Sequence, residues 1–250
     1  MNILKLDPSN IASEHICCAF SDKKVAAGYE AKKALLADGF PRGFVFKKLN
    51  VKHKVFIEYA PDEAAWLPVD APGYLGIHCF WVAGQYKGQG HGKALMDECI
   101  QDASGTNGVY AITSAKKRPF FTDKAFFLKN GFETCDTAPP YFELMVRRNG
   151  NAPLPKFRDN ARRAECPQKD GIAVYYTNRC PFTEYYTDEL EAVVRAKGLN
   201  FQRVKVSSVR EAKDIPSAAS IYSIFYNGKF VTHEIQTSGR FEKLWAGMDK

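Results

Sequence analysis

Nowhere in the 250 residues does an apolar run approach the roughly 20 positions a helix needs to cross a bilayer, which excludes a membrane-spanning helix. Residues 1–7, Met1-Asn2-Ile3-Leu4-Lys5-Leu6-Asp7, lack the apolar stretch and small-residue cleavage site of a secretory signal, so the expected location is cytoplasmic. A disulfide framework is equally unsupported, because the seven cysteines are odd in number and irregularly spaced. No pair has zinc-finger spacing and Cys17-Cys18 are adjacent, so no metal site is expected. Disorder is excluded by composition: 45% apolar and 13% aromatic residues suffice for an ordinary core, and 250 residues accommodate two domains. The net charge of +7 is concentrated in residues 147–170, where seven basic residues face three acidic ones. A solvated linker is preferred there over a nucleic-acid surface, and neither nucleic acid nor membrane is expected as a partner.

What the chain does have is a glycine-spaced loop. Lys87-Gly88-Gln89-Gly90-His91-Gly92-Lys93 lies between an apolar strand at 74–82 and a helix running to about Ala103. Glycines there let backbone N–H groups approach an anion, and the helix adds its unpaired first-turn donors and partial positive charge. Lys87, His91 and Lys93 contribute cationic or donor side chains. The spacing excludes two other phosphate loops. Ala94 follows Lys93 where a Walker-type loop needs Ser or Thr. A dinucleotide fingerprint counted from Gly88 or Gly90 would need its third glycine at Lys93 or Leu95.

The pattern resembles motif A of the GNAT superfamily of N-acetyltransferases, with Lys87 in the leading basic position and Gly90 and Gly92 in the glycine positions. The resemblance extends to the strand before the loop, to a short strand at 109–112, and to a helix ending in Phe126-Phe127-Leu128-Lys129-Asn130-Gly131-Phe132. It covers roughly residues 1–148. It implies acetyl-CoA as co-substrate, with its pyrophosphate held by Lys87, Gly88, Gln89, Gly90, His91, Gly92 and Lys93. It also implies a splayed strand whose backbone at Phe80, Trp81 and Val82 pairs with the pantetheine arm.

The rest of this first part reads as a helix at 22–38, strands at 43–49 and 54–59, and a hairpin at 133–137 and 141–147. Residues 149–170, with three prolines and few apolar positions, read as a linker. Beyond it, a strand at 172–176 leads into Cys180-Pro181-Phe182-Thr183 and a helix to Lys197, then strands at 201–206, 221–226 and 229–234 and a helix at 238–246. That order is similar to the thioredoxin/glutaredoxin superfamily. Thr183 stands where a dithiol enzyme has its second cysteine, and Ser220 where the cis-proline is usual. The combination resembles the bacterial YoaP-type acetyltransferases. The expected fold is mixed α/β: a GNAT domain (1–148) with a central mixed sheet, a linker (149–170) and a small thioredoxin-like domain (171–250).

The resemblance implies acetyl transfer to a primary amine, with a small molecule as the expected acceptor and a homodimer left open. His78 and Glu58 are the candidate bases: His78 because it lies four residues before Val82, Glu58 because it is a carboxylate in an apolar run. Phe127 occupies the place where many GNAT enzymes carry an acidic tyrosine, leaving Tyr141 or Cys135 as substitutes. Two other functions stay in view. One is thiol-redox or glutathione-linked chemistry at Cys180, whose pKa a helix N-terminus would lower. The other is a non-catalytic acyl-CoA-binding module. His15 with Cys17 and Cys18 reads as buried thiols more readily than as a nucleophile.

Overall fold

The computed structural model describes residues 2–16 and 18–248; Cys17 lies outside the described residues. Its first part runs β1 (Ile3–Leu6), α1 (Ala26–Gly39), β2 (Val45–Leu49), β3 (Val55–Pro61), β4 (Val69–Asp70), β5 (Leu75–Val82), α2 (His91–Asp102), β6 (Gly108–Ser114), α3 (Lys124–Lys129), β7 (Glu133–Ala138) and β8 (Phe142–Arg148). It continues through β9 (Lys156–Phe157), α4 (Asp159–Arg163), β10 (Ile172–Tyr176), α5 (Thr183–Ala196), β11 (Phe201–Lys205), α6 (Val209–Lys213), β12 (Tyr222–Tyr226), β13 (Lys229–Thr232) and α7 (Ser238–Met248).

Seven strands form one mixed sheet in the order β1-β2-β3-β5-β6-β8-β7. The β5–β6 pair is parallel and every other pair in it is antiparallel. Two features of β5 position everything that follows. The first is a bulge: Glu58 pairs with Cys79 and Tyr59 with Ile77, leaving His78 as the extra residue. An extra residue reverses the in–out alternation of a strand. Leu75 and Ile77 therefore share one face with Phe80 and Val82, packed against Leu95, Met96 and Cys99 of α2. Cys79 joins the opposite core, with Phe46 and Phe56. The second feature is a wedge. The parallel pairing with β6 ends at Ile77–Ala111, although β5 continues to Val82 and β6 to Ser114. Past that point β5 keeps β3 on one side and presents an unpaired edge on the other.

The second face of the sheet is covered jointly by α1 and by the C-terminal part of the chain. Leu36 of α1 and Val206, Ala212 and Ile215 share one apolar core with Phe46, Phe56 and Trp66. Contact there is backbone to backbone: a Cβ added to Gly28 would lie 2.1 Å from the carbonyl oxygen of Pro181. The C-terminal strands form a sheet of their own, ordered β11-β10-β12-β13, with β10 and β11 parallel and joined through α5. Asn227 and Gly228, both at positive φ, turn β12 into β13.

Residues 149–170 depart from the solvated linker expected of them. Lys156–Phe157 pair with Val69–Asp70, and Phe157 and Ala161 are buried in a core that also holds Tyr74 and Tyr110. The segment carries only the two-residue strand β9 and the short helix α4, yet its apolar Phe157 and Ala161 are buried. No helix among the described residues is long and apolar enough to cross a membrane.

Candidate active site

Two cavities meet at the splayed end of β5. The outer one is a groove of about 780 Å³ over the glycine loop. Helix α2 starts from Gly90 at φ 80° without a side-chain cap, so no capping side chain takes its first-turn donors. A Cβ on Gly84, Gly88 or Gly90 would meet nothing within 4 Å, so the loop backbone borders open space. Gly92 is different: a Cβ there would sit 3.4 Å from Phe80, Val82 and Phe126, so the loop lies against the strand end at this point.

Lys87, Lys93, Lys117 and Arg118 line the groove against one carboxylate, Asp123, which caps α3 by accepting from the Ala125 N–H at 2.9 Å. Cationic side chains around exposed backbone donors fit a pyrophosphate. Three of the residues expected to bind it are instead tied within the loop. Gln89 donates to the Gln85 carbonyl at 2.7 Å, its Oε1 lies 3.2 Å from His91 Nε2, and Lys93 pairs with Asp97 at 2.6 Å. Lys117 and Arg118 were not identified from sequence, since nothing local marks them as neighbours of a loop some 25 positions earlier.

At its inner end the groove reaches Phe80, Trp81, Phe120, Phe121 and Thr122, which also line the second cavity. Thr122 stands between the parted strands. Its carbonyl accepts from the Thr113 hydroxyl at 2.6 Å, and its own hydroxyl lies 3.5 Å from the Phe80 carbonyl oxygen.

The inner cavity, about 210 Å³, is mostly apolar and is walled by both parts of the chain. Lys32, His78 and Cys79 come from one side, and Arg179, Cys180 and Phe182 from the other. Beneath it lies a sealed ionic cluster. Lys32 Nζ is 2.8 Å from Glu58 Oε2, while Glu58 Oε1 is 3.4 Å from His78 Nδ1 and 3.9 Å from Arg179 Nε. All four side chains are at most 1% exposed.

Trp66 donates its backbone N–H to His78 Nε2 at 3.2 Å, which makes Nε2 the acceptor and leaves the ring proton on Nδ1, facing Glu58. Burial, with Arg179 adding, pushes the His78 pKa down to about 4, so the ring is neutral. Burial alone would raise the Glu58 carboxyl; the Lys32 charge, with His78 and Arg179 adding, outweighs it and holds the group well below the usual range. Arg179 Nη1 donates to the Trp66 carbonyl at 3.1 Å, and its Nε and Nη2 make no hydrogen bond.

Of the two candidate bases, then, only His78 reaches a cavity wall. Glu58 lies behind it, paired to Lys32. Cys180 also lines the cavity, but burial pushes its thiol up to about 11, away from the thiolate a redox site needs. Thr183 hydrogen bonds to the Thr177 carbonyl at 2.7 Å and braces the turn.

Phe127 is buried in the inner wall. Neither proposed substitute for an acid reaches it: Tyr141 bonds His233 Nδ1 at 2.8 Å under the Arg118 guanidinium, and Cys135 donates to Leu144 and Pro155 carbonyls on an edge strand. Cys18 lines the inner cavity, and His15 Nε2 lies 2.9 Å from the Val51 carbonyl oxygen. Lys32 and Arg179 were not singled out by sequence reading. Arg179 immediately precedes Cys180-Pro181, and that adjacency was the one available signal.

A family model described as an acetyltransferase (GNAT) domain matches residues 53–134, and one described as YoaP-like matches residues 200–243. An N-acetyltransferase of Bacillus subtilis (strain 168), YoaP, described as uncharacterized, is 41% identical over 247 residues, covering 98% of each chain. Among solved structures, the PaiA N-acetyltransferase of Thermoplasma acidophilum in complex with coenzyme A matches 60% of this chain and all of its own, at 16% identity and a TM-score of 0.41. Ard1 from Thermoplasma volcanium matches 59% of this chain and 96% of its own, at 19% identity and a TM-score of 0.40.

Proposed function

The chain belongs to the YoaP-like branch of the GNAT acetyltransferases, which use acetyl-CoA as acyl donor, and from that premise we propose that it acetylates a primary amine of a small molecule held in the inner cavity. The observation that carries this reading is the meeting of a large cationic groove and a smaller, mostly apolar cavity at Phe80, Trp81 and Thr122. A cavity of about 210 Å³ is below the size of sites for drug-like ligands (~300–1,000 Å³) and suits a small acceptor.

When bound, acetyl-CoA supplies the thioester carbonyl and a thiolate leaving group. Gly88, Gly90 and the first turn of α2 offer backbone donors to its pyrophosphate, with Lys87, Lys117 and Arg118 as counter-charges. The unpaired edge of β5 at Phe80–Val82 aligns the arm and fixes the reacting geometry.

The acceptor nitrogen must be neutral to attack. Lys32 and Arg179, in a largely apolar enclosure with Lys54 half-buried beside them, disfavour an ammonium ion by like charge and by desolvation. The same field disfavours a protonated His78, whose Nε2 is already accepting from Trp66. We therefore assign His78 and Glu58 to positioning the cluster, with the amine's proton leaving as it sheds water. The proton that the nitrogen releases on acylation can pass to the departing sulfur, so the lack of a hydroxyl at Phe127 leaves the stoichiometry intact.

The second sheet, with α5 between its parallel pair, supports reading residues 171–250 as a thioredoxin-like module that roofs the acceptor cavity over an acetyltransferase part at 1–148. Unbridged thiols at Cys79, Cys99, Cys135, Cys166 and Cys180 suit the reducing cytoplasm.

Calorimetric titration with acetyl-CoA, CoA and NADPH, followed by thiol release over a panel of amines, tests this. Binding of both CoA species and acetylation of at least one small amine are expected. CoA binding with no turnover on any amine would reduce the protein to an acyl-CoA-binding module. His78→Gln should leave kcat and its pH profile nearly unchanged; a roughly 10²-fold fall would make His78 the base.

A further inference from the structure

The inner cavity holds more positive than negative charge. Lys32 and Arg179 contribute two cations, Glu58 one anion, and His78 none, since Trp66 fixes its ring in the neutral tautomer. The next carboxylate outward, Asp62, does not correct the surplus: Lys213 pairs with it at 2.9 Å, and the Tyr110 hydroxyl donates to it at 2.7 Å. An uncompensated charge sealed from water is unfavourable unless something answers it. Arg179 is the seat of that surplus. One arm is fixed by the Trp66 carbonyl, with the Ser220 hydroxyl 3.4 Å away, which leaves Nη2 with no partner in a side chain 1% exposed. A guanidinium with Nη1 anchored, Nε 3.9 Å from the Glu58 carboxylate and Nη2 without a hydrogen-bond partner keeps a donor for a planar anion.

We propose that the acceptor is an amine that also carries a carboxylate, an amino-acid-like molecule, and that Arg179 receives this carboxylate while the amino group lies toward Phe80 and Trp81. The inference rests on the acetyl-transfer reading and names its substrate class. A single negative charge balances the sealed Lys32–Glu58–Arg179 cluster, with Lys54 half-buried in the same wall. The remaining wall, with Ile77, Ala111, Ile112, Phe127 and Ile221, is apolar and asks for an aliphatic or aromatic side chain over a polar one.

The test uses matched triplets: an amino acid, its primary amide, and the amine left after loss of the carboxyl, for example leucine, leucinamide and isopentylamine. Binding is followed by calorimetry on the full chain in the presence of CoA, and turnover by thiol release from acetyl-CoA. Acids should bind roughly 10²-fold more tightly than their amides, because the amide leaves the buried guanidinium unanswered. Arg179→Gln should abolish that preference, and Arg179→Lys should keep part of it. The wild-type triplets decide the matter even where an Arg179 variant does not fold. Equal binding of acids and amides overturns the carboxylate seat, whatever the turnover, and acetylation of the plain amines would then leave the acetyl-transfer reading standing. Acids that bind selectively without being acetylated keep the seat and overturn the acetyl-transfer reading.

Discussion

The groove and the inner cavity share Phe80, Trp81 and Thr122 but hold charge by opposite means. The groove relies on backbone: glycines at positive φ, an uncapped helix start and lysines in contact with water. The cavity relies on side chains, with Lys32, Glu58 and Arg179 removed from solvent and held by one another. Backbone donors fixed by one short loop need no distant support, while buried ions need every partner in place. Perturbations should therefore separate the two. The groove should tolerate loss of individual charges, and the cavity should fail as a unit.

Acid gives the largest separation. His78 and His233, both in the inner wall, stand near pKa 4 against an ordinary 6.5, chiefly through burial. Between those values the unfolded chain binds protons that the folded chain refuses. The stability these neutral rings confer is therefore whole above pH 6.5 and lost as the pH falls to 4. The loss is on the order of 3 kcal/mol per ring. Glu58, depressed when folded, adds a further loss below its ordinary 4.5. Thermal unfolding followed from pH 7 to 4 should fall steeply, and His78→Gln should remove roughly half of the slope. A parallel fall in that variant would contradict the assignment.

Gly90→Val strikes the groove alone. Its side chain is strained at φ 80° and projects into the open space of the cradle. Acetyl-CoA affinity should drop by roughly 10²-fold or more while ligands of the inner cavity bind as before. Calorimetry on the folded variant checks both halves of the statement, and an unchanged CoA affinity would remove the loop from the site.

Gly28→Ala strikes the cavity alone. By helix propensity alanine should stabilise α1 by about 1 kcal/mol. Its Cβ, however, would meet Pro181 O at 2.1 Å, so a net loss of about 1–3 kcal/mol is expected in urea, with inner-cavity binding weakened before CoA binding. Stabilisation would mean that the two parts of the chain do not touch there.

The smallest effect belongs to Lys93. Exposed and already paired with Asp97, it should change CoA affinity less than about 3-fold on conversion to Met, with Lys87→Met costing more at low salt.

The groove was legible because its chemistry is local: Lys87, Gly90 and Gly92 lie within six positions and mark both the turn and the helix start. The mixed sheet was legible because apolar runs at β3, β5 and β6 stand out from their surroundings. β1 escaped notice, since Ile3-Leu4-Lys5-Leu6 is too short to show alternation on its own. The bulge at His78 also left no trace, because one extra residue in a continuous apolar strand alters register without altering composition. The cavity was hidden for a deeper reason. Lys32 of α1 and Glu58 of β3 meet Arg179, which lies more than a hundred positions later in the turn between β10 and α5, and no spacing rule connects them. Residues 149–170 were misread because proline and charge content describe a linker well, while burial of Phe157 depends on a partner strand nearly ninety residues earlier.

That convergence also has a consequence in time. The last residue to line the groove is Phe126, whereas the inner wall waits for His233 and Ile235. At ribosomal rates of roughly 5–20 residues per second, the residues that line the groove and those that complete the inner wall are synthesised about 5–20 s apart. Enclosure of the inner cavity thus depends on residues more than a hundred positions beyond the last one that lines the groove.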